Sequence, residues 1–486
     1  MLLVHYFMPK LAHSSYMLAG NRTCAVIDPS RDVDGYIRAA ADHDLKITHV
    51  LLTHLHADFV SGHMDLAAIT GASVVVPASA CCAFDHIPVS EGDSFLLEDM
   101  KIDVIETPGH TPEHVSYIVS DTGRGPDPAG VFCGDTLFVG DVGRPDLFPD
   151  MAGELASRLY DSLRKLMELP DFCEVYPAHG AGSLCGRSMG SKWRSTIGYE
   201  RRYNAALQIE DRDAFIQSLT TGMPPAPDHF SRCSAFNRAG PATTSSLGEP
   251  EPMKPEEFRK AIGGSNSIVL DVRRYDAFGG QHIPDAVSID FEGNIPVFAG
   301  WVLPPDADIY LVATNFTEVL DTTLWLRRVG LDRVMGYLDG GMFAWSLAGL
   351  RAAHLPQLSV IEADLAIRSC KDALILDVRS SAEYDNSHID GAVNIPAPDL
   401  RTRFRELDQD SETLLVCSTG YRSALAGSIL LTNGFGKLQN VSGGMKGFNS
   451  AALAPACLMC SIPHGPRLFT GKLHDQVAVK TGEKTR

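Results

Sequence analysis

Histidine and aspartate residues gather at the ends of apolar runs in the first half of this chain. His54, His56 and Asp58 alternate directly after the run HVLL. Alternate residues of an extended chain point to the same side, so these three side chains can face one point. Single residues of the same types follow three later apolar runs: His110, Asp135 and His179. Imidazoles and carboxylates that converge from strand ends are ligands for a divalent metal, so the pattern predicts a metal site.

A different chemistry is indicated near the other end of the chain. The apolar run TLLV leads into Cys417-Ser-Thr-Gly-Tyr-Arg422, and a helical pattern follows. A cysteine between a strand and a helix start is surrounded by backbone N–H groups, and the helix dipole and Arg422 add positive potential. These features favour a thiolate or a persulfide anion, so we expect Cys417 to be a sulfur-carrying nucleophile.

The elements that must position these residues fall into an α/β domain and an internal repeat. Short β-rich runs alternate with helical patterns over residues 1–235, and a Pro-, Gly- and Ser-rich stretch predicts a linker at 236–252. The sequence SIVLDVRRYDAFGGQHIPDAVSID then resembles LILDVRSSAEYDNSHIDGAVNIP, which lies about one domain length downstream. We therefore expect two domains with parallel sheets, at 253–355 and 356–462, and a C-terminal tail at 463–486.

The two repeats differ where the chemistry is expected. Aligning Leu311 with Leu415 places Ala313 at the position of Cys417, and Glu318 at that of Arg422. Alanine cannot carry sulfur and a glutamate repels an anionic sulfur species. We therefore predict that the first repeat is inactive.

Composition excludes several classes of function. The 486 residues contain 60 acidic and 42 basic side chains, a net charge of −18, which argues against binding to nucleic acid. No apolar run approaches the roughly 18 residues of a membrane-spanning helix. Eleven cysteines are spread along the chain, which is typical of a reducing compartment. The sequence thus predicts a cytoplasmic protein that contacts no membrane.

The motifs HxHxD, PGH, GD and PAHG, in this order, resemble the metallo-β-lactamase superfamily, and the resemblance implies an αββα sandwich. Two-metal hydrolases of the superfamily carry HxHxDH, whose last histidine binds the second metal; here that position is Phe59. THLHADFVSGH and GRPDL resemble the persulfide dioxygenase branch. That resemblance implies one Fe(II) per chain, held by His54, His110 and Asp135, which is the ligand type of non-haem iron oxygenases. His56, Asp58 and His179 would then orient ligands or bind water, and His56 remains open as a fourth ligand.

Three further features leave alternatives open. Arg144 in GRPDL either braces its loop through Asp146 or helps to hold an anionic thiol substrate. Cys185 lies six residues after His179 and is either core filler or a thiol that receives sulfur. The CLMC sequence at Cys457 and Cys460 is weak support for a zinc site. Core-filling cysteines and a redox-active pair are equally compatible with it.

The last repeat resembles rhodanese sulfurtransferases in CxxxxR, in DVR…E…HIxGAxNIP and in a later Gly-Gly pair. The resemblance assigns framework roles to the matching residues Asp377, Arg379, Glu383 and His388. The domain order resembles bacterial persulfide dioxygenase–rhodanese fusions of sulfide detoxification. This implies oxidation of a small thiol persulfide by O2 to sulfite, transfer of sulfane sulfur through Cys417 to give thiosulfate, and a homodimer or homotetramer.

Two other functions are compatible with the same motifs. One is a zinc thioester hydrolase of the glyoxalase II type fused to rhodanese domains, against which Phe59 counts. The other is a sulfur-relay protein whose metal domain is vestigial, against which the intact ligand set counts. The identity of the thiol, among glutathione, coenzyme A, cysteine and bacterial thiols, stays open.

Overall fold

The computed structural model describes residues 1–187, 189–223, 225–369 and 373–451. The CLMC cysteines and the tail at 463–486 lie outside these ranges. The chain divides into two compact units: Met1–Arg274 with His282–Ala352, and Tyr275–Gln281 with the chain from Ala353 onward. The eight cysteines described are all free thiols.

The first unit begins with two six-stranded sheets. The strands of the first sheet lie in chain order: β1 (Leu2–Met8), β2 (His13–Ala19), β3 (Thr23–Ile27), β4 (Lys46–Leu51), β5 (Ser73–Pro77) and β6 (Ile87–Val89). Those of the second sheet lie in the order β12-β11-β10-β9-β8-β7: β7 (Ser94–Leu97), β8 (Met100–Glu106), β9 (Val115–Asp121), β10 (Pro128–Gly134), β11 (Glu174–Pro177) and β12 (Ser195–Thr196).

Helices cover the outer faces of both sheets. Six belong to this part of the chain: α1 (Asp34–Asp42), α2 (His63–Thr70), α3 (Ala152–Leu166), α4 (Ile197–Tyr203), α5 (Arg212–Thr220) and α6 (His229–Ala239). Buried side chains of the two sheets, such as Tyr16 and Phe132, form a core between them. Separate cores join the first sheet to α1 and α2, and the second to α3, α4 and α5. This confirms the predicted αββα sandwich.

Each of the two repeats contains a five-stranded parallel sheet. The first has the order β13-β17-β16-β14-β15: β13 (Glu251–Met253), β14 (Ser267–Asp271), β15 (Val287–Ser288), β16 (Asp308–Val312) and β17 (Val334–Leu338). The second has the order β18-β22-β21-β19-β20: β18 (Gln357–Leu358), β19 (Leu374–Asp377), β20 (Val393–Asn394), β21 (Thr413–Val416) and β22 (Leu438–Val441). The identical order confirms the repeat inferred from self-similarity.

Short helices connect these strands. In the first repeat they are α7 (Pro255–Ala261), α8 (Tyr275–Gly280), α9 (Ile295–Val302), α10 (Phe316–Arg328) and α11 (Gly341–Leu347). In the second they are α12 (Val360–Ser369), α13 (Ser381–Asn386), α14 (Leu400–Arg403), α15 (Tyr421–Thr432) and α16 (Gly444–Ser450). Among the described residues no helix combines the length and apolarity needed to cross a membrane.

The Pro-, Gly- and Ser-rich stretch between the two parts contains more regular structure than its composition indicates. Helix α6 extends into its first residues as far as Ala239, and β13 already begins at Glu251. The difference arises because α6 makes long-range contacts that its local composition does not reveal: its Asn237 and Ser234 bond to the chain around His56.

Candidate functional site

His54, His110 and Asp135 meet at one point inside the sandwich. Their ligand atoms all lie within 4.8 Å of one another, and all three side chains are buried. The Nε2 atoms of His54 and His110 lie 3.8 Å and 3.3 Å from Asp135 Oδ2. Within the described residues, neither Nε2 atom has a hydrogen-bond partner. Because unpartnered buried nitrogens are costly, their convergence on a carboxylate fits a bound metal ion.

Asp28 fixes the loop that carries His54 and His56. This aspartate follows β3 and accepts hydrogen bonds from the Thr53 backbone N–H and hydroxyl, both at 2.8 Å. The Thr53 hydroxyl lies 2.9 Å from His54 Nδ1, and Asp28 Oδ1 lies 3.2 Å from His56 Nε2. One carboxylate therefore orients both histidines of the HxHxD motif. Asp28 was not among the residues predicted from the sequence, although it too ends an apolar run.

The orientation of His110 depends on the backbone of Arg144. His110 Nδ1 lies 2.8 Å from the Arg144 carbonyl oxygen, which turns Nε2 towards Asp135. The Arg144 guanidinium donates to both oxygens of Asp146, at 2.6 Å and 2.7 Å, and to the Leu184 carbonyl. These contacts brace the loop. Bracing is one of the two roles that the sequence analysis gave as alternatives for Arg144.

Asp135 is held by a histidine that sequence reasoning missed. The Asp135 backbone N–H donates to His114 Nε2 at 3.0 Å. Gly134 permits this approach: it has φ +48, and an added Cβ would lie 2.4 Å from His114 Nε2. The repeated histidine in TPGHTPEH was the available signal for His114.

A second group of possible ligands lies beside the first. Ligand atoms of His56, Asp58 and His179 also fall within 4.8 Å of one another. His179 bridges two carboxylates, with Nδ1 2.7 Å from Asp135 Oδ1 and Nε2 2.9 Å from Asp58 Oδ2. The fully buried ring of Phe59 lies 4.4 Å from that of His56. An apolar ring thus borders the second group where a two-metal site would need another ligand.

The charges of these groups suit a cation. Burial lowers the pKa of His54 and of His110, so both imidazoles are neutral. Burial alone would raise the pKa of Asp135, but the imidazoles of His179, His110 and His56 together outweigh it and hold that pKa well below its usual range. Burial likewise opposes the charged form of His179, yet Asp135 and Asp58 raise its pKa. Among the first three residues, neutral His54 and His110 beside an ionised Asp135 have the protonation states that metal binding requires.

Cys185 lies next to the candidate metal ligands, as its sequence position indicated. Its sulfur belongs with Asp135 and His179 to a third set of atoms within 4.8 Å of one another. The thiol is buried in a small apolar cluster that includes Phe138 and Phe230. Burial raises the pKa of Cys185, and the carboxylates of Asp58 and Asp135 add to this effect. The surroundings therefore favour the protonated thiol.

The second predicted site forms a cradle around Cys417. Cys417 as a residue is 1% exposed. Its sulfur accepts hydrogen bonds from the Gly420 backbone N–H at 3.1 Å and from the Ser423 hydroxyl at 3.3 Å. Gly420 has φ +112, and an added Cβ would lie 2.9 Å from the Tyr275 ring. Ser423 was not predicted from the sequence, although it is the first residue after the CxxxxR motif.

Arg422 acts on the cradle indirectly. Its guanidinium forms two hydrogen bonds with Glu383, at 2.6 Å and 2.8 Å, and one with the Ser418 hydroxyl. The donors that reach the sulfur are those of Gly420 and Ser423. Glu383, assigned to the framework, therefore holds Arg422 in place. Asp377 and Arg379 pair with each other as a framework role implies.

The first repeat lacks the cradle. Val312 pairs with Asp271 as Val416 pairs with Asp377, so both strands end at equivalent positions and Ala313 takes the place of Cys417. Glu318 accepts hydrogen bonds from Thr314 and Asn315 at the start of α10. A carboxylate thus lies at this loop, and no sulfur nucleophile is present at the position of Cys417.

Comparison with known protein families divides the chain in the same way. The model of the metallo-beta-lactamase superfamily matches residues 8–179. The model of the rhodanese-like domain matches twice, at residues 254–348 and 361–451.

Two solved structures and a curated protein are similar to parts of this chain. A crystal structure of a metallo-beta-lactamase from Staphylococcus aureus is 30% identical, with a TM-score of 0.63, and the match covers 69% of this chain and 98% of that one. A structure of ETHE1 from Myxococcus xanthus is also 30% identical, with a TM-score of 0.43, over 49% of this chain and 99% of that one. A hydroxyacylglutathione hydrolase from Rhodospirillum rubrum is 38% identical over 32% of this chain and 57% of its own length. The chain thus spans little more than half of the curated relatives it matches.

Proposed function

The chain belongs to the metallo-beta-lactamase superfamily and carries two rhodanese-like domains, and from this we propose that it is a non-haem iron persulfide dioxygenase that also transfers sulfur. The first site would oxidise a small thiol persulfide with O2. The balanced reaction is RSSH + O2 + H2O → RSH + H2SO3. The observation that carries the proposal is the set of two histidines and one carboxylate, His54, His110 and Asp135, with the apolar ring of Phe59 against the neighbouring His56.

Three side chains would hold the iron, and each is fixed by a neighbour. Asp28 orients His54 through Thr53, the Arg144 carbonyl orients His110, and His114 holds the Asp135 backbone. When bound, Fe(II) would supply open positions that bring a persulfide and dioxygen together, which is the chemistry of a two-histidine, one-carboxylate set. All three ligand side chains are buried, which restricts access of bulk water to the site.

The second site would convert the sulfite to thiosulfate. The Cys417 thiolate attacks the outer sulfur of a persulfide RSSH, the RS–S bond breaks and RSH leaves with the proton. Cys417 then carries a Cys–S–S⁻ anion, which the Gly420 N–H and the Ser423 hydroxyl stabilise by hydrogen bonds. Sulfite then attacks the outer sulfur, the S–S bond breaks, thiosulfate leaves and the Cys417 thiolate is restored. The inactive repeat takes no part in this transfer because Ala313 has no sulfur.

One alternative has support of its own. The curated relatives are named hydroxyacylglutathione hydrolases, and His56, Asp58 and His179 form a second group of possible ligands. A zinc thioester hydrolase would use both groups, so it requires a second metal next to Phe59. A sulfur-relay protein with a vestigial metal domain would hold no metal.

Metal analysis separates these functions. The full-length protein is purified without added metal, loaded anaerobically with Fe(II) or Zn(II), and analysed for metal content and activity. We expect one iron per chain and O2-dependent activity with iron alone. Two zinc ions per chain with thioester hydrolysis would support the hydrolase, and the absence of metal would support the relay protein.

A further inference from the structure

Helix α10 of the first repeat ends against the αββα sandwich, and both belong to one compact unit. The last backbone carbonyls of an α-helix have no partner within the helix, so they need donors from elsewhere. The Arg328 carbonyl accepts a hydrogen bond of 2.7 Å from the backbone N–H of Val60, the residue after Phe59. The next carbonyl, that of Val329, accepts one of 3.0 Å from the Arg232 guanidinium of α6. Both donors lie outside the repeat.

A buried arginine joins the same helix end to a second loop of the sandwich. Arg31 is 0% exposed, and its guanidinium donates to both oxygens of Asp332, at 2.5 Å and 2.9 Å. It also donates to the Arg327 carbonyl and, at 3.2 Å, to the Ala242 carbonyl. A buried guanidinium is costly unless its charge is paired and its N–H groups are bonded. Loss of the Asp332 carboxylate would therefore disturb the position of Arg31.

Arg31 lies on the loop that also carries Asp28, three residues before it. The Asp28 carboxylate orients both histidines of the HxHxD motif. Its backbone has φ +49, a left-handed conformation that few residues other than glycine adopt. Such a conformation persists where the surrounding structure imposes it. A shift of Arg31 would therefore be passed on to Asp28 and to the histidines that it orients.

The loop of Val60 carries a candidate ligand as well, since Asp58 lies two residues before it. This loop is bonded to the first one. The Pro29 carbonyl accepts hydrogen bonds from the Ser61 hydroxyl at 3.0 Å and from the Gly62 N–H at 3.1 Å. One end of α10 thus holds two connected loops, and both of them place candidate metal ligands.

The second repeat shows the same helix end without these contacts. The offset that aligns the sulfur loops of the two repeats places Gly436 at the position of Asp332, and Asn433 at that of Val329. At the end of α15 the Asn433 side chain donates to the Ile429 carbonyl at 2.8 Å, so the repeat supplies its own donor. In the first repeat a valine replaces that asparagine, and donors from the sandwich bond to the helix end instead.

We propose that the first repeat is a positioning element for the metal centre. The Arg31–Asp332 pair and the Arg328 carbonyl hold the two loops in the geometry that binds a divalent ion, so Arg31 and Asp332 are positioning residues that act through these loops. The inference rests on the proposed metal centre, but on neither the identity of its metal nor oxygen chemistry. By linkage, a metal bound between the loops stabilises the end of α10 in return.

Metal affinity of the full-length protein tests the proposal. Co(II), added anaerobically to metal-free protein, shows the geometry of its ligands in its visible spectrum, and competition with a chelator gives its affinity. Asp332→Asn removes the charge that pairs with Arg31. We expect the affinity to fall about tenfold, the lower end of the effect of losing a group that orients metal ligands, and the spectrum to change. Asp332→Glu keeps a carboxylate and should recover much of the loss.

The matched control is Asp308→Asn, because Asp308 pairs with Arg333 inside the first repeat. It should leave the affinity and the spectrum of Co(II) unchanged. Melting temperature and sulfur transfer by Cys417 show that each variant is folded. Unchanged affinity and spectrum in Asp332→Asn, or an equal fall in Asp308→Asn, would overturn the positioning role.

Hydrogen exchange of the unsubstituted protein gives a second test. Co(II) should slow exchange in the peptide that covers the end of α10, and leave the peptide at the equivalent end of α15 unchanged. Equal exchange at α10 with and without Co(II), or equal slowing at α15, would overturn the proposal. If the iron-loaded parent consumes no O2 with a persulfide but these Co(II) results are obtained, the dioxygenase function fails and the positioning role stands. A parent that binds no Co(II) would overturn both.

Discussion

Replacing Ser423 with alanine tests the chemistry of the cysteine cradle. Ser423 is fully buried in α15, and its hydroxyl lies 3.3 Å from the Cys417 sulfur and 3.1 Å from the Gly420 carbonyl oxygen. A negative charge on the sulfur favours donation to the sulfur over donation to the carbonyl. A hydrogen bond to a charged group contributes about 1.5–3 kcal/mol, and about 1.4 kcal/mol corresponds to a tenfold change in rate. Sulfur is a weak acceptor, so the lower end applies. Without this donor the anionic sulfur is less stabilised, and the rate of sulfur transfer through Cys417 should fall about tenfold.

The assay measures thiosulfate:cyanide sulfur transfer by the full-length protein at neutral pH, and mass spectrometry of the Cys417 peptide shows how much of it carries the extra sulfur. A peptide readout is needed because Cys81 is exposed and can also react. The control is Ser428→Ala in the same helix. Ser428 is equally buried, but its hydroxyl donates to the Leu425 carbonyl. An unchanged rate in Ser423→Ala, or an equal fall in Ser428→Ala, would refute this role of Ser423.

The remaining predictions concern which reaction each site carries out and how many metal ions the chain binds. Cys417→Ala should keep O2 uptake and change the product from thiosulfate to sulfite, measured by ion chromatography; loss of O2 uptake in folded, iron-loaded protein would contradict two separate sites. Ala313→Cys should not give thiosulfate:cyanide activity in a Cys417→Ala background, because Glu318 still occupies the loop; appreciable activity would show that this loop is competent. Phe59→His should raise the metal content from one to two per chain, since it adds an imidazole beside His56; an unchanged content would show that Phe59 does not limit the site.

The sequence was sufficient for the architecture and for the residues that end strands. His54, His110 and Asp135 each follow an apolar run, and the strand ends of a sheet bring such residues together. The position of Ala313 followed from self-similarity, because Ala313 aligns with Cys417 at the end of an equivalent strand. In these cases the local pattern and the three-dimensional position are directly related.

The residues that were missed act through contacts between distant segments. The His13 ring lies beside the rings of His56 and His179 because β2 lies beside the chain at Ala178. No local sequence pattern shows this pairing. Asp28 ends a strand like the predicted ligands, but it binds backbone and hydroxyl groups and not a metal. Asn237 lies in a stretch expected to be linker, yet it bonds to the carbonyls of His56 and Phe59. Such roles depend on tertiary packing.

The central claim is that an iron held by His54, His110 and Asp135 oxidises a persulfide, and oxygen uptake tests it most directly. The anaerobically Fe(II)-loaded protein and its His110→Ala variant are supplied with a thiol persulfide in an oxygen electrode. We expect the parent to consume one O2 per persulfide that ends as sulfite, and one O2 per two persulfides where the sulfite is converted to thiosulfate through Cys417. We expect no uptake above background by the variant, which should retain sulfurtransferase activity through Cys417. Absence of O2 uptake by the iron-loaded parent, or equal uptake by His110→Ala, would contradict the central claim.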